Sequence, residues 1–460
     1  MDGSPVNING VFPHLHVTAD LVPRRTEAGI GALMPWADRL WMVTYPSNPR
    51  SGSGTGLYEI QPDLTMRKRP ESIVGTFANR MVHRASDQMI IGPHIIDAGG
   101  QVRTIEAIAD ARLTATMQHL HDPEHLVYFL GMEGELFEVD VHTLRATQLF
   151  DLTRELGMPQ DMWPHFKGGH TAQGRVVVCN NSYDEPEFLG QRSAGRLAEW
   201  DGERWTVLAE KPFMEASGRE NIGGAIFATG WDEASAILKV RTRDRWSTYR
   251  LPKASHCYDH GWLTEWTRIR EVETERFLMD CHGLIYELPA QVYGGHTWGI
   301  KPICQHLRII PDFCSWMGLL VLAGNQTTPN SDTNPFAGQP QANLWLGKTD
   351  DLWSWGKPQG WGGVWRNTPV QADEPSDPFL MTGFDQKVLH VAHDFGEPVR
   401  FDIEVDFLGD GSWHYLTGIT AQGGGRHGHA HYVFEPGFSA HWVRVRASGP
   451  CRATAWFVYT

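Results

Sequence analysis

The residues best equipped for chemistry are concentrated between Asp161 and Tyr183: His165, Lys167, Gly168, Gly169, His170 and Tyr183 itself. Imidazoles titrate near neutrality and move protons. A lysine holds an anion, and a Gly-Gly pair lets a backbone come close or take positive φ. The run from Arg175 to Asn180 is rich in β-branched residues and reads as one buried strand. The reactive groups therefore sit at a strand entrance, where a rigid β scaffold presents function. A second such stretch, Ser255 to Arg270, carries His256, His260, Trp262, Glu265 and Trp266.

The elements that position these groups are strands. The chain has 460 residues, 41% of them hydrophobic, which suits a globular protein with a sizeable core. Helix signal is scarce, and turn pairs such as Gly99-Gly100, Asp201-Gly202 and Asp410-Gly411 separate short apolar runs. A strand end placing an apolar or aromatic residue beside Glu, or an equivalent, recurs. It appears at Leu57 to Ile60, Arg103 to Glu106, Leu136 to Val139, Leu197 to Trp200, Thr248 to Leu251, Ile285 to Leu288 and Leu344 to Gly347. The mean spacing is about 48 residues, near the roughly 40 to 50 of propeller blades.

A strand that would be the innermost of its blade precedes each: Arg39 to Thr44, Gln88 to Ile91, Leu126 to Leu130, Arg175 to Cys179, Ser235 to Val240, Arg276 to Met279 and Leu319 to Leu322. The expectation is an all-β chain, a seven-bladed β-propeller over residues 26–370. Thr368 to Pro378 reads as a linker. Residues 371–460 alternate apolar and polar and read as a small C-terminal β-sandwich. Residues 1–25 form an N-terminal arm that packs on the first blade or closes the ring.

In such a ring, the loops feeding the inner strands line one mouth of the channel. His83 precedes the second inner strand, and His119 and His121 the third. His165, Lys167 and His170 precede the fourth, Arg219 and Asn221 the fifth, and His256, His260, Trp262 and Glu265 the sixth. Repeated basic and proton-transferring groups suit an anionic, oxygen-rich ligand. Singly, each histidine has a structural alternative, as a satisfied buried side chain. Most of the 19 Trp read as core.

Some motifs resemble a family. They are Gly29-Ile30-Gly31-Ala32-Leu33 with Trp36, Leu40-Trp41, Asn79-Arg80 with His83, and Ile91-Gly92-Pro93. Others are His165-Phe166-Lys167-Gly168-Gly169, Ser247 to His256, and Cys281-His282-Gly283. Together they are similar to the seven-bladed propeller enzymes acting at rhamnose–glucuronate linkages: ulvan-type lyases, rhamnose–glucuronate lyases and propeller α-L-rhamnosidases. The resemblance implies a polysaccharide lyase working by β-elimination at the uronate. It implies His83 or His165 as base and Tyr183 or His170 as acid. Arg80, Lys167 and Arg219 would hold the carboxylate, and Trp262 would contribute to substrate binding. An α-L-rhamnosidase of the same linkage is the first alternative, although no carboxylate pair of the hydrolase kind stands out among Asp184, Glu185 and Glu265. A non-catalytic carbohydrate-binding propeller is the second.

The expected partner is an acidic oligo- or polysaccharide. A net charge of −14 argues against nucleic acid, and no apolar run reaches membrane-spanning length. Oligomeric state is not legible. Six cysteines without a CxxC pair read as free thiols or metal ligands rather than a disulfide framework. His256, His260, Cys281 and His282 offer three or four nitrogen and sulfur donors for a structural zinc. The alternative is that His260 and His282 line the site and the thiols are buried. No cofactor is required by the chemistry. The first residues lack a leader pattern, which leaves a cytoplasmic protein, or a secreted or periplasmic one whose leader has been removed.

Overall fold

A computed structural model describes residues 15–18, 28–46, 56–182, 194–219, 224–254, 267–289, 292, 295–306, 309–326, 341–423 and 428–460. Strand takes 57% of it and helix 4%, so the all-β expectation holds. The strands form consecutive four-stranded antiparallel sheets. The first strands of these sheets are β1 (Ala28–Trp36), β2 (Arg80–His83), β3 (Leu113–Gln118), β4 (Phe166–Ala172), β5 (Phe213–Gly218), β6 (Arg268–Glu273) and β7 (Phe313–Trp316). Each contacts the next, and β7 contacts β1, so the sheets close into a ring around an axis lined by these strands. Radial closure leaves few open sheet edges.

The ring is closed by the N-terminal arm. Leu15–Thr18 pairs antiparallel with Gln341–Gly347, Leu15 opposite Leu344, as the outermost strand of the last sheet. Of the expected arm, residues 15–18 are the part described, and they pair with the last sheet. The last sheet thus needs both ends of the ring's sequence.

Six of the seven strands expected to be innermost are second in their sheets, and the one at Ser235 to Val240 is third, behind Ile226–Trp231. Arg175–Asn180, for example, lies between β4 and Arg196–Trp200. The physical reason is burial on both faces. A second strand is covered by adjacent sheets above and below, so Val176, Val177, Val178 and Cys179 are all fully buried and read as a continuous apolar run. The true innermost strands face a channel and approach their neighbours closely. A Cβ on Gly31 would lie 1.6 Å from the Phe77 carbonyl oxygen, and one on Gly168 2.6 Å from that of Met214. Bulges interrupt β1, β3, β4 and β5 near their starts. A bulge breaks the period of two that would mark a strand in the sequence.

Beyond the ring, Gly360–Val370 pairs with β10 (Cys451–Tyr459), which pairs with β8 (Lys387–His393), which pairs with β9 (His429–Val433). The expected linker at Thr368 to Pro378 therefore starts inside a strand; Pro369 is tolerated there because that strand is an edge. A second sheet, Phe379–Leu380, Trp442–Ala447, Val399–Asp406 and His414–Ala421, continues the sheet of β5 through a parallel pairing of Phe379 with Arg250. The turn at Asp410-Gly411 joins two of its strands as expected. Asp406 accepts the backbone N–H groups of Gly409 and Gly411 there. Side chains of both sheets, among them Leu389, Val391, Phe401, Ile403, Val445 and Phe457, form one buried cluster. The indole N–H of the buried Trp442 donates to the Thr297 carbonyl at 2.8 Å and ties this unit to the ring.

Candidate functional site

A cavity of about 820 Å³ occupies the centre of the ring, lined by β1 to β7. Its floor is an ionic cluster drawn from several sheets. Asp312, fully buried, forms an ion pair with Arg80 whose Nε lies 2.8 Å away, and accepts from Arg80 Nη2 at 3.3 Å, from Arg270 Nε at 2.7 Å and from the Leu33 N–H at 2.8 Å. Glu215 accepts from Arg268 at 3.3 Å and from Arg270. Arg268 also donates to the Pro311 carbonyl, and Arg80 to that of Phe313. Burial works to raise the Asp312 carboxyl, but Arg270 and Arg80 outweigh it and hold it below the usual range. Three guanidiniums meet two carboxylates, which leaves one formal positive charge at the cavity floor.

The groups expected to carry the chemistry fall apart on inspection. His83 is buried at the end of β2, with Nδ1 2.6 Å from Ser86 Oγ and Nε2 2.9 Å from the Pro123 carbonyl. Nε2 therefore holds the proton, Nδ1 accepts from the serine, and burial lowers the pKa; no lone pair is left for a substrate. His170 lines the cavity from β4. Its Nε2 is buried without a hydrogen-bond partner, and burial pushes its pKa down to about 4, far from the near-neutral value a general base needs. His165 and Lys167 carry partners of their own and do not line the cavity; Lys167 is buried at the bulge of β4.

Arg80 is committed to Asp312, and Arg219, at the cavity edge, to Glu271 at 3.1 Å and Glu275 at 3.4 Å. His119 is bound to Glu138 at 2.9 Å beside Tyr128, outside the cavity lining. Tyr183, Trp262, His256 and His260 lie outside the described residues. Sequence reasoning missed the partners Asp312 and Glu215. Each is a lone acid in a strand context, and only the ring brings them to the arginines.

Cys281 and His282 belong to a hairpin. Cys281 pairs with Leu284 across the two-residue turn His282-Gly283, both at positive φ, 51° and 82°. This is the conformation a type I′ turn demands. His282 is buried, and burial followed by the nearby Lys253 keeps it from protonating. Cys281 and His282 are thus accounted for by turn chemistry and packing. Among the described residues, no three His, Cys, Asp or Glu side chains already surround one point as metal ligands would.

No family model matches the chain, and no curated protein matches it. Among solved structures, it is similar to U3-55K at 9% identity, covering 69% of this chain and 95% of that one, with a TM-score of 0.42. It is similar to the β-propeller domain of Myceliophteria thermophila Cps50 (Swd1) at 10% identity, covering 71% and 99%, with a TM-score of 0.41. The WD40 repeats of RRP9 match at 10%, 69%, 94% and 0.42 in the same order.

The expectation of an enzyme is corrected, both as a rhamnose–glucuronate lyase and as a rhamnosidase. So is the expected acidic-polysaccharide partner. Elimination needs a base with a free lone pair at a suitable pKa and a cation free to meet the uronate carboxylate. Among the described residues, the groups expected to do this are not available: His83 is doubly bonded, His170 is too weak a base, and Arg80 and Arg219 are already paired.

Proposed function

We propose that the chain is a seven-bladed β-propeller with a C-terminal β-sandwich, acting as a non-catalytic binding module for a protein partner. The blade count is supported by the order of the sheets and by the closed circle of contacts from β1 to β7. The sandwich is supported by the two sheets that share one apolar cluster.

One observation carries the functional reading. Among the described residues, Arg80, Arg268, Arg270 and Arg219 are spent on acid partners, which fixes a rigid, shaped recess, with Arg84 the exposed cation on its lining. Its walls mix adaptable Met81 and Met117 with polar Gln118, His170 and Ser217. That mixture suits an inserted peptide segment. The residual positive charge of the floor favours a segment bearing an acidic side chain.

The test is a photo-crosslinking amino acid at Ser217, with Thr206, exposed on an outermost strand, as the control position. Discrete protein adducts at 217, reduced at least tenfold at 206, are expected from the native host. Adducts at both positions alike, or none at 217, would overturn the reading.

A further inference from the structure

The outer face of the C-terminal sheet carries a group of histidines that the central cavity does not involve. His390 on β8 stands directly opposite His431 on β9, and His429 lies two residues before His431. Residues two apart on a strand share a face, so all three imidazoles project from the same side. Their ring centroids are 5.5 Å apart for His390 and His429, 6.0 Å for His390 and His431, and 6.0 Å for His429 and His431. His390 Nδ1 lies 3.2 Å from His429 Nε2.

We propose that His390, His429 and His431 form a binding site for a divalent transition-metal ion, with zinc as the reference metal. A tetrahedral ion with bonds of about 2.0–2.1 Å to imidazole nitrogen holds two such nitrogens about 3.3 Å apart. His390 and His429 have that spacing as a hydrogen-bonded pair, whose shared proton the ion would displace. His431 reaches the same point by rotating its side chain. It is exposed, as is His429, so the rotation displaces no packed neighbour.

His390 is the fixed member. It is half-buried, and its strand is held by the core residues Leu389 and Val391. On its other side, its register partner on β10 is Trp456, over which Arg366 stacks. The sheet positions around the trio on this face are Val388, Val433, Val458, Ala392 and Thr454. They offer no carboxylate, so the donor set is imidazole alone, which suits zinc, copper(II) and nickel(II) over magnesium or calcium. Three protein ligands leave a fourth coordination position open.

The test uses the full chain, stripped with chelator and dialysed, titrated with zinc chloride by calorimetry and by thermal unfolding. One zinc per chain is expected, with a melting temperature that rises with zinc. His390→Ala and His429→Ala should each weaken binding at least tenfold, while metal-free melting stays within the parent's range. The triple variant at 390, 429 and 431 should lose the zinc-dependent shift. Retention of a full zinc by the triple variant would place the metal elsewhere and overturn the assignment. Binding of less than a small fraction of a zinc by the parent would overturn it equally. A copper(II) spectrum with nitrogen splitting in the parent, absent in the triple variant, checks the imidazole donor set.

Discussion

The centre of the ring and the C-terminal unit are built from the same element and solve opposite problems. In the C-terminal unit, strands alternate cleanly: Lys387–His393 is buried at every second position, and Val399–Asp406 nearly so. One face meets an apolar core and the other meets water, so burial repeats with the pleat. At the ring centre, β1 to β7 have a channel on one side and crowded neighbouring strands on the other. They use glycines, bulges and charges, and their acids and arginines find partners in other sheets. Hydrophobic burial dominates the first region. Compensated charge, at the cost of desolvation, dominates the second.

That contrast is most exposed to failure at Asp312. Asp312→Ala strands Arg80 in a buried site, leaves Arg270 with Glu215 alone, and leaves the Leu33 N–H without its acceptor. Loss of one partner from a buried ion pair costs about 3–5 kcal/mol. Urea unfolding should report a loss in that range. A loss below about 1 kcal/mol would mean that water, not the ionic cluster, supports the ring centre.

Acid should sharpen the same contrast. His94 is fully buried in the ring, with Nδ1 on Thr104 Oγ1, and burial pushes its pKa down to about 4. An unfolded histidine protonates near 6.5 while this one does not. Its contribution is therefore complete above about pH 6.5 and is lost as pH falls toward 4. The slope is at most about 1.4 kcal/mol per pH unit for one group. Unfolding free energies measured from pH 7 to 4 should fall accordingly, and His94→Gln should flatten the curve. An unchanged slope in that variant would show that His94 titrates alike in both states.

The smallest effect belongs to the C-terminal core. Ile403→Val removes one methylene from a fully buried position packed among both sheets, and such a deletion costs about 0.5–1.5 kcal/mol. Hydrogen exchange should show the loss within residues 371–460 before it spreads to the ring. A uniform loss would mean that the tie through Trp442 and Thr297 makes the two regions one cooperative unit.

Much of the fold was legible because it depends on local signals. The apolar second strands, the Asp410-Gly411 turn and the alternating C-terminal strands all declare themselves within a few residues. The innermost strands did not, because bulges at Ile30/Ala32 or Phe166/Gly168 destroy their period. The candidate site was less legible still. His83 and His170 were visible as residue types, yet Ser86 and the Pro123 carbonyl decide what His83 can do, and burial decides the state of His170. The pair His429 and His431 carried a readable signal, two histidines at strand spacing, which was passed over in favour of His256 and His260.

By itself, then, the sequence determined that this chain is all-β and built on a repeat of short strands, with a shift in composition near residue 370. Those properties follow from side-chain periodicity and turn chemistry, which act over a few residues. Only the tertiary structure decided that Leu15–Thr18 completes the last sheet, that Asp312 and Glu215 absorb three arginines of two other strands, and that His390 meets His429. Partners 39 to 329 residues apart are chosen by ring closure and sheet register, and neither is encoded in any local window.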